Sequence, residues 1–326
     1  MKTKVIKTIC SFVGIVAIFL ALYFYLAMVL LPKDYNDSGA FKYFNAAAIK
    51  NEKKNSIDTM FFGNSDLYNG ISPMNIYKNT GYTCYSMGAP KQSIKQIRRQ
   101  IRRNLKNQDL KAIFIETDCF YYPNKFFAGS FVYDNAYLVS PFKYHSRWKE
   151  LEAKDFYTIP NKAKGLNYFK GYVYEQENAN FKSPDWFMND DPQQVEKIHP
   201  SVKKDVAQIV AMCKKKNIQL VFFTLPSPSS WSNKKHNGVQ NLANKHGIDY
   251  VDLNVERADF SLDYKNCFRD NGNHLNYRGA KICSEYMADY MKNNLDLPDR
   301  RQDPKYNDWN KCLELFEEYA KNNPVR

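Results

Sequence analysis

Ile57-Asp58-Thr59-Met60-Phe61-Phe62-Gly63-Asn64-Ser65-Asp66 is the stretch that decides the fold. The run from 57 to 62 is short, largely apolar and stopped by a glycine, the pattern of a strand buried on both faces. Asn64, Ser65 and Asp66 are all residue types that start helices. Ser72-Pro73 offers a second start, with proline suited to a first helical turn. A buried strand running straight into a helix is the repeating unit of an α/β sheet.

Outward from it the alternation continues. Tyr82-Thr83-Cys84-Tyr85-Ser86 reads as a second strand, followed by a loop at Gly88-Ala89-Pro90. The spacing then predicts a helix over 92–106, with Ile94, Ile97, Ile101 and Leu105 on one face and lysines and arginines on the others. That basic face suits either plain solvation or contact with an anionic surface. Ala112-Ile113-Phe114-Ile115-Glu116 is a third strand, Ile218 to Phe223 a fourth and Ile248 to Leu253 a fifth. Helices are predicted over 202–216, 236–246 and 277–294, and an amphipathic one over 309–320. Strands of this kind alternating with helices predict an α/β fold: a doubly wound, mostly parallel sheet flanked by helices.

Residues 119–199 break this rhythm. They carry Phe120, Tyr121, Tyr122, Phe126 and Phe127, with more aromatics to Trp148, and read as an aromatic-rich insertion that shapes a substrate cleft or simply packs as a long excursion. The expected organisation is an N-terminal transmembrane anchor (1–32), a stalk (33–55), an α/β domain (56–118 and 200–295) interrupted by the insertion (119–199), and a C-terminal helical extension (296–326).

From Thr8 to Pro32 no residue is charged, which is long enough to cross a bilayer core of about 30 Å. Lys2, Lys4 and Lys7 precede the run, so the positive-inside rule places the N-terminus in the cytoplasm and the rest of the chain outside. A cleaved signal peptide is the competing reading, although the run exceeds a usual signal core and no clear A-x-A site follows.

The chain of 326 residues has a formal charge of +13, and about +10 remains after the three N-terminal lysines. Outside a membrane such an excess favours acidic envelope polymers or lipid headgroups as neighbours, and no nucleic acid is expected there. The seven cysteines are widely spaced, with no C-x-x-C and no zinc pattern. They suit buried thiols, or one or two disulfides in an oxidising compartment. A P-loop, a GxGxxG fingerprint and an H-E-x-x-H helix are all missing from the sequence. No cofactor and no metal are expected.

The chemistry lies at two places. Ser65 follows the first strand, where an open α/β sheet binds ligands, and it opens a helix whose N–H groups could hold an oxyanion. About 200 residues later comes Asp270-Asn271-Gly272-Asn273-His274, just before the helix predicted from Tyr277. A serine hydroxyl needs a base, histidine is the usual one, and a carboxylate orients it. Among five histidines, His274 alone sits in an acid-containing turn. Ser65 and Asn64 equally suit helix capping, and His274 equally suits a surface turn.

Gly63-Asn64-Ser65-Asp66 resembles the first block of the SGNH (GDSL-like) hydrolases, and Asp270 to His274 resembles their last. His274-Leu275-Asn276-Tyr277-Arg278-Gly279-Ala280 is similar to envelope-tethered members, among them the SGNH proteins of teichoic-acid D-alanylation and polysaccharide O-acetylation. The resemblance implies a doubly wound, flavodoxin-like fold, with Ser65 as nucleophile, His274 as base and Asp270 as orienting acid. The backbone N–H groups of Ser65 and Gly88 would be the oxyanion donors. It further implies an esterase or O-acyltransferase acting on acetyl or D-alanyl groups of a cell-envelope glycopolymer, with a membrane-bound O-acyltransferase as partner. Two features depart from the pattern. The acid stands four residues before His274 rather than three, which puts Asn271 in the usual acid position and leaves Asp270 and Asn271 as alternative orienting residues. In place of a third-block Gly-x-Asn-Asp there is Glu116-Thr117-Asp118. The displaced acid also leaves room for a non-catalytic carrier or binding module.

Overall fold

The computed structural model describes residues 2–31, 48–122, 140–157, 165–255 and 258–326. The chain divides into two compact units, one formed by 1–43 with 126–165 and the other by 44–125 with 166–326.

The larger unit is built on five parallel strands: β1 (Thr59–Gly63), β2 (Cys84–Gly88), β3 (Ala112–Glu116), β4 (Gln219–Thr224) and β5 (Asp249–Asp252). Their spatial order is β2-β1-β3-β4-β5, with Gly63 beside Gly88, Phe61 beside Phe114 and Glu116 beside Phe223. Every residue of β1, β2 and β3 is buried, as expected of strands covered on both faces. The order reverses at β1, whose neighbours lead off in opposite directions, and in such sheets the crevice beyond the strand ends at that point is where ligands sit.

Among the described residues the α-helices longer than four residues are α1 (Lys2–Leu30), α2 (Ser65–Gly70), α3 (Pro73–Thr80), α4 (Ile94–Asn104), α5 (Pro200–Lys215), α6 (Asn233–His246), α7 (Tyr277–Asn294) and α8 (Asn307–Asn322). Alternation along the strands decides which layer each residue meets. Phe61, Phe114, Phe223 and Val251 join Leu67, Ile71, Cys283, Met287 and Met291 in one core, so α2, α3 and α7 cover that face. Helices α4 and α5 pack together, and α5 lies against β4 and α6 in the second layer.

β3 and α7 span the expected residues, and most other element ends depart from the sequence expectation by one to three residues. The first strand starts at Thr59 rather than Ile57, and Asp58 just before it donates its N–H to Thr83 O and accepts the Lys111 N–H. Its carboxylate takes two hydrogen bonds from the Arg300 guanidinium, each 2.9 Å, and one from Thr83.

The span 119–199 is shared between the units. From 166 onward it belongs to the α/β unit: Ser86 donates its N–H to Lys170 O at the edge of β2, and Val173 donates to Tyr68 O. Gly272 lies against the Phe181 ring. The smaller unit holds α1, whose side chains are exposed from residue 4 to 22, and the segment 140–157. Most of the expected stalk, and Phe126 and Phe127 of the expected insertion, lie outside the described residues.

Candidate active site

Ser65 is the first residue of α2, directly after β1. Asn64 makes the join. Its side-chain oxygen accepts the Asp66 N–H at 2.9 Å, capping the helix, and its amide donates to Asp118 Oδ2 at 2.8 Å. Capping therefore falls to Asn64, and the Ser65 hydroxyl takes no part in it.

That hydroxyl lies 2.9 Å from His274 Nε2. On the other side of the ring, Nδ1 lies 2.5 Å from Asp270 Oδ2. Asp270 is thus the residue that meets the imidazole, and the alternative at Asn271 is exposed at the outside of the turn. The extra residue between acid and base is absorbed by the backbone. Gly272 adopts φ +81°, a conformation that favours glycine. The turn closes with Gly272 N–H donating to Asp270 O at 2.7 Å. Asp270 Oδ1 then accepts the N–H groups of Asn273 and His274, both at 2.9 Å. Burial pushes the Asp270 carboxyl up, but these hydrogen bonds and the one from the His274 ring outweigh it and hold it below its ordinary value. These contacts favour the ionised form of the acid beside the imidazole.

The turn is gripped from outside. Ser229 donates its hydroxyl to Gly272 O at 2.9 Å, and a Cβ on Gly272 would come within 2.5 Å of Phe181 Cζ. The Pro226–Pro228 loop after β4 leads into this clamp. Nothing in the sequence around Ser229 or Phe181 marks either residue.

Gly88 ends β2 beside Gly63. Ala89 N–H donates to Gly63 O, so the alternate Gly88 N–H is turned away from β1. A side chain there would meet Asn64 O and Tyr68 Cβ, both at 2.9 Å, so only glycine allows this approach to the residue before Ser65. Tyr68 covers Gly88 and interacts through its hydroxyl with the Ser65 side chain. Burial pushes its phenol up to about 12.

Under the serine lies a group of acids. Asp66 Oδ1 is 3.9 Å from His274 Nε2, and Asp66, Glu116 and Asp118 act on one another. Burial, then the neighbouring Asp118, pushes Asp66 and Glu116 well above the usual carboxylate range, which favours their neutral forms. Glu116 Oε1 accepts the Asp118 N–H, while its Oε2 is buried without a partner. Lys235 is the nearby cation, 4.0 Å from Asp118. Glu116-Thr117-Asp118 is thus tied to the start of α2 through the Asn64 amide on Asp118.

Two of the remaining histidines have other tasks. His199 caps α5 by accepting the Ser201 N–H, and His236 pairs with Asp252, which also binds Trp231 and Tyr250. Among the described residues no group of three or more metal-binding side chains is found.

No protein-family model matches the chain, and no curated protein sequence matches it significantly. Solved structures of similar arrangement include a GDSL-like lipase from Bacteroides thetaiotaomicron, at 12% identity and a TM-score of 0.38, covering 78% of this chain and 100% of that one. A family 3 carbohydrate esterase from Clostridium thermocellum is similar at 11% identity and a TM-score of 0.38, covering 73% of this chain and 96% of that one. Likeness at this level is weaker than shared family membership requires, and what the site can do follows from its own geometry.

Proposed function

We propose that the chain is a membrane-anchored, extracytoplasmic serine acyl-transfer enzyme of the SGNH kind. Its substrates would be O-acyl groups, acetyl or D-alanyl, on a cell-envelope glycopolymer. The observation that carries this reading is the unbroken chain of contacts from Ser65 Oγ to His274 Nε2 and from His274 Nδ1 to Asp270 Oδ2, at the carboxyl edge of the sheet. The resemblance of Gly63 to Asp66 and of Asp270 to Ala280 to SGNH blocks agrees with it. The length and apolarity of α1, the lysines before it and the basic remainder of the chain support the anchor and an acidic envelope.

In the mechanism, His274 Nε2 takes the Ser65 proton as Oγ attacks the acyl carbonyl carbon, forming a tetrahedral intermediate. Asp270 stabilises the imidazolium through Nδ1–H. The Ser65 and Gly88 N–H groups are the proposed oxyanion donors. Collapse breaks the bond to the donor oxygen, which leaves as an alcohol carrying the proton from His274. The acyl-Ser65 ester is then attacked by a hydroxyl, again deprotonated by His274, and Ser65 is regenerated. Water as the second nucleophile makes the enzyme an esterase; a polymer hydroxyl makes it a transferase, with a membrane-bound O-acyltransferase as the proposed source of acyl groups.

A fluorophosphonate probe on the detergent-solubilised full chain tests the nucleophile. Labelling should vanish in Ser65→Ala and fall steeply in His274→Ala. Folded parent protein that takes no label would refute the proposed chemistry and leave a carrier or binding module.

A further inference from the structure

Where α1 ends, the smaller unit builds a second surface. From residue 8 to residue 26 the side chains of α1 are uncharged and, apart from the half-buried Tyr23, exposed, and at 1.5 Å per residue they span about 28 Å, close to the hydrocarbon thickness of a bilayer. Beyond them the helix is covered. Ala27, Val29 and Leu30 are buried, and the cover comes from 140–157. The Phe142 ring lies 6.5 Å from that of Tyr23, and the Tyr25 hydroxyl donates to Phe156 O at 3.3 Å. Arg147 donates to Val29 O at 3.1 Å, satisfying one of the carbonyls that a helix C-terminus leaves without an internal partner. The same guanidinium is paired at 2.7 Å with Asp155, and both side chains are buried. A buried pair of this kind fixes the segment on the helix end, because removing one partner strands the other charge.

The same segment also exposes Phe142, Trp148, Phe156 and Tyr157, by 64%, 65%, 48% and 73%. Surfaces of this composition are rare on monomers in water, whereas tryptophan and tyrosine collect at the membrane–water interface. Lys149, Glu150, Glu152 and Lys154 stand among them, so the charge is mixed in sign.

We propose that residues 140–157 form an interfacial collar that sits in the headgroup layer of the leaflet from which α1 emerges, with Phe142, Trp148, Phe156 and Tyr157 against lipid. The inference rests on the anchor reading above. The occupant is the bilayer because the aromatic face begins where the lipid-length stretch of α1 stops and continues its apolar surface. Mixed charge makes zwitterionic lipid sufficient. The collar sets the depth at which α1 stops.

The test uses the full chain with Cys10→Ser, reconstituted in phosphatidylcholine vesicles. An environment-sensitive fluorophore is placed at Val13→Cys, Trp148→Cys or Tyr157→Cys in turn. Quenching is compared between lipids carrying a nitroxide near the headgroup and near the acyl-chain end. Position 13 should be quenched more by the deep nitroxide, and positions 148 and 157 more by the shallow one, by about twofold. In the unlabelled protein, Trp148→Phe should remove a shallowly quenched part of the tryptophan emission. Deep quenching at 13 with none at 148 and 157 overturns the collar while the anchor stands, and would point to a protein covering those aromatics. No quenching at 13 overturns the anchor and the collar with it.

Discussion

At the scale of single residues, the Ser65, His274 and Asp270 side chains depend on one glycine. Gly272 lets the chain pass from Asp270 to His274 with one residue more than the usual spacing, and Phe181 fills the place where a side chain would stand. Gly272→Ala should therefore cost esterase activity on a soluble aryl acetate, and a smaller residue at 181 in the same chain should restore part of it. Asp270→Asn should lower kcat by a factor on the order of 10³ to 10⁴, because the imidazole loses the carboxylate that orients it. Asn271→Ala should leave kcat within about twofold, since a surface side chain away from the imidazole contributes little. Steady-state rates on the purified variants check all three. Equal losses in Asp270→Asn and Asn271→Ala would contradict the geometry.

At the scale of elements, Ser65 and His274 are each placed beside a helix start. Asn64 caps α2 and presents Ser65, and Asn276 caps α7 two residues after His274. Asn276 is fully buried, accepts the Gly279 N–H at 3.2 Å and donates to Asn266 O at 3.0 Å. Asn276→Ala should destabilise the protein by about 1–3 kcal/mol, read as a lower urea midpoint with unchanged slope. These starts were legible in the sequence because cap residues and buried strands obey local rules. The third strand and α7 fall at the residues that their patterns predict. Contacts around strand ends were less legible: the partner of the Asp58 carboxylate, Arg300, lies 242 residues away in sequence. For the acid, the resemblance put Asp270 first but the spacing left Asn271 as an alternative, since the contact turns on a positive φ at Gly272. Tyr68, Ser229 and Phe181 reach the site through tertiary packing and carry no signal of their own.

At the scale of the whole molecule, the acids under Ser65 link stability to pH. Glu116 and Asp66 have folded-state pKa values raised above the unfolded ones, so the folded chain holds protons that the unfolded chain releases. Stability on their account is greatest below the ordinary carboxylate range and is lost as pH rises through the raised values. Glu116→Gln keeps an oxygen for the Asp118 N–H and removes the titration. It should raise Tm at pH 8 by roughly 2–6 °C, with a smaller gain at pH 4.5, by calorimetry on parent and variant. An equal gain at both pH values would mean that the carboxyl does not titrate against folding.

All seven cysteines are free, and six of them are buried: Cys84, Cys119, Cys213, Cys267, Cys283 and Cys312. They stand in β2, after β3, in α5, before the Asp270 turn, in α7 and in α8. Burial raises each of these thiols, Cys213 to about 12 and Cys267 and Cys312 to about 11, so little reactive thiolate exists in the closed state. The molecule therefore carries its own set of clocks. The rate at which each sulfur takes up an alkylating reagent measures how often that part of the structure breathes open, strand by strand and helix by helix.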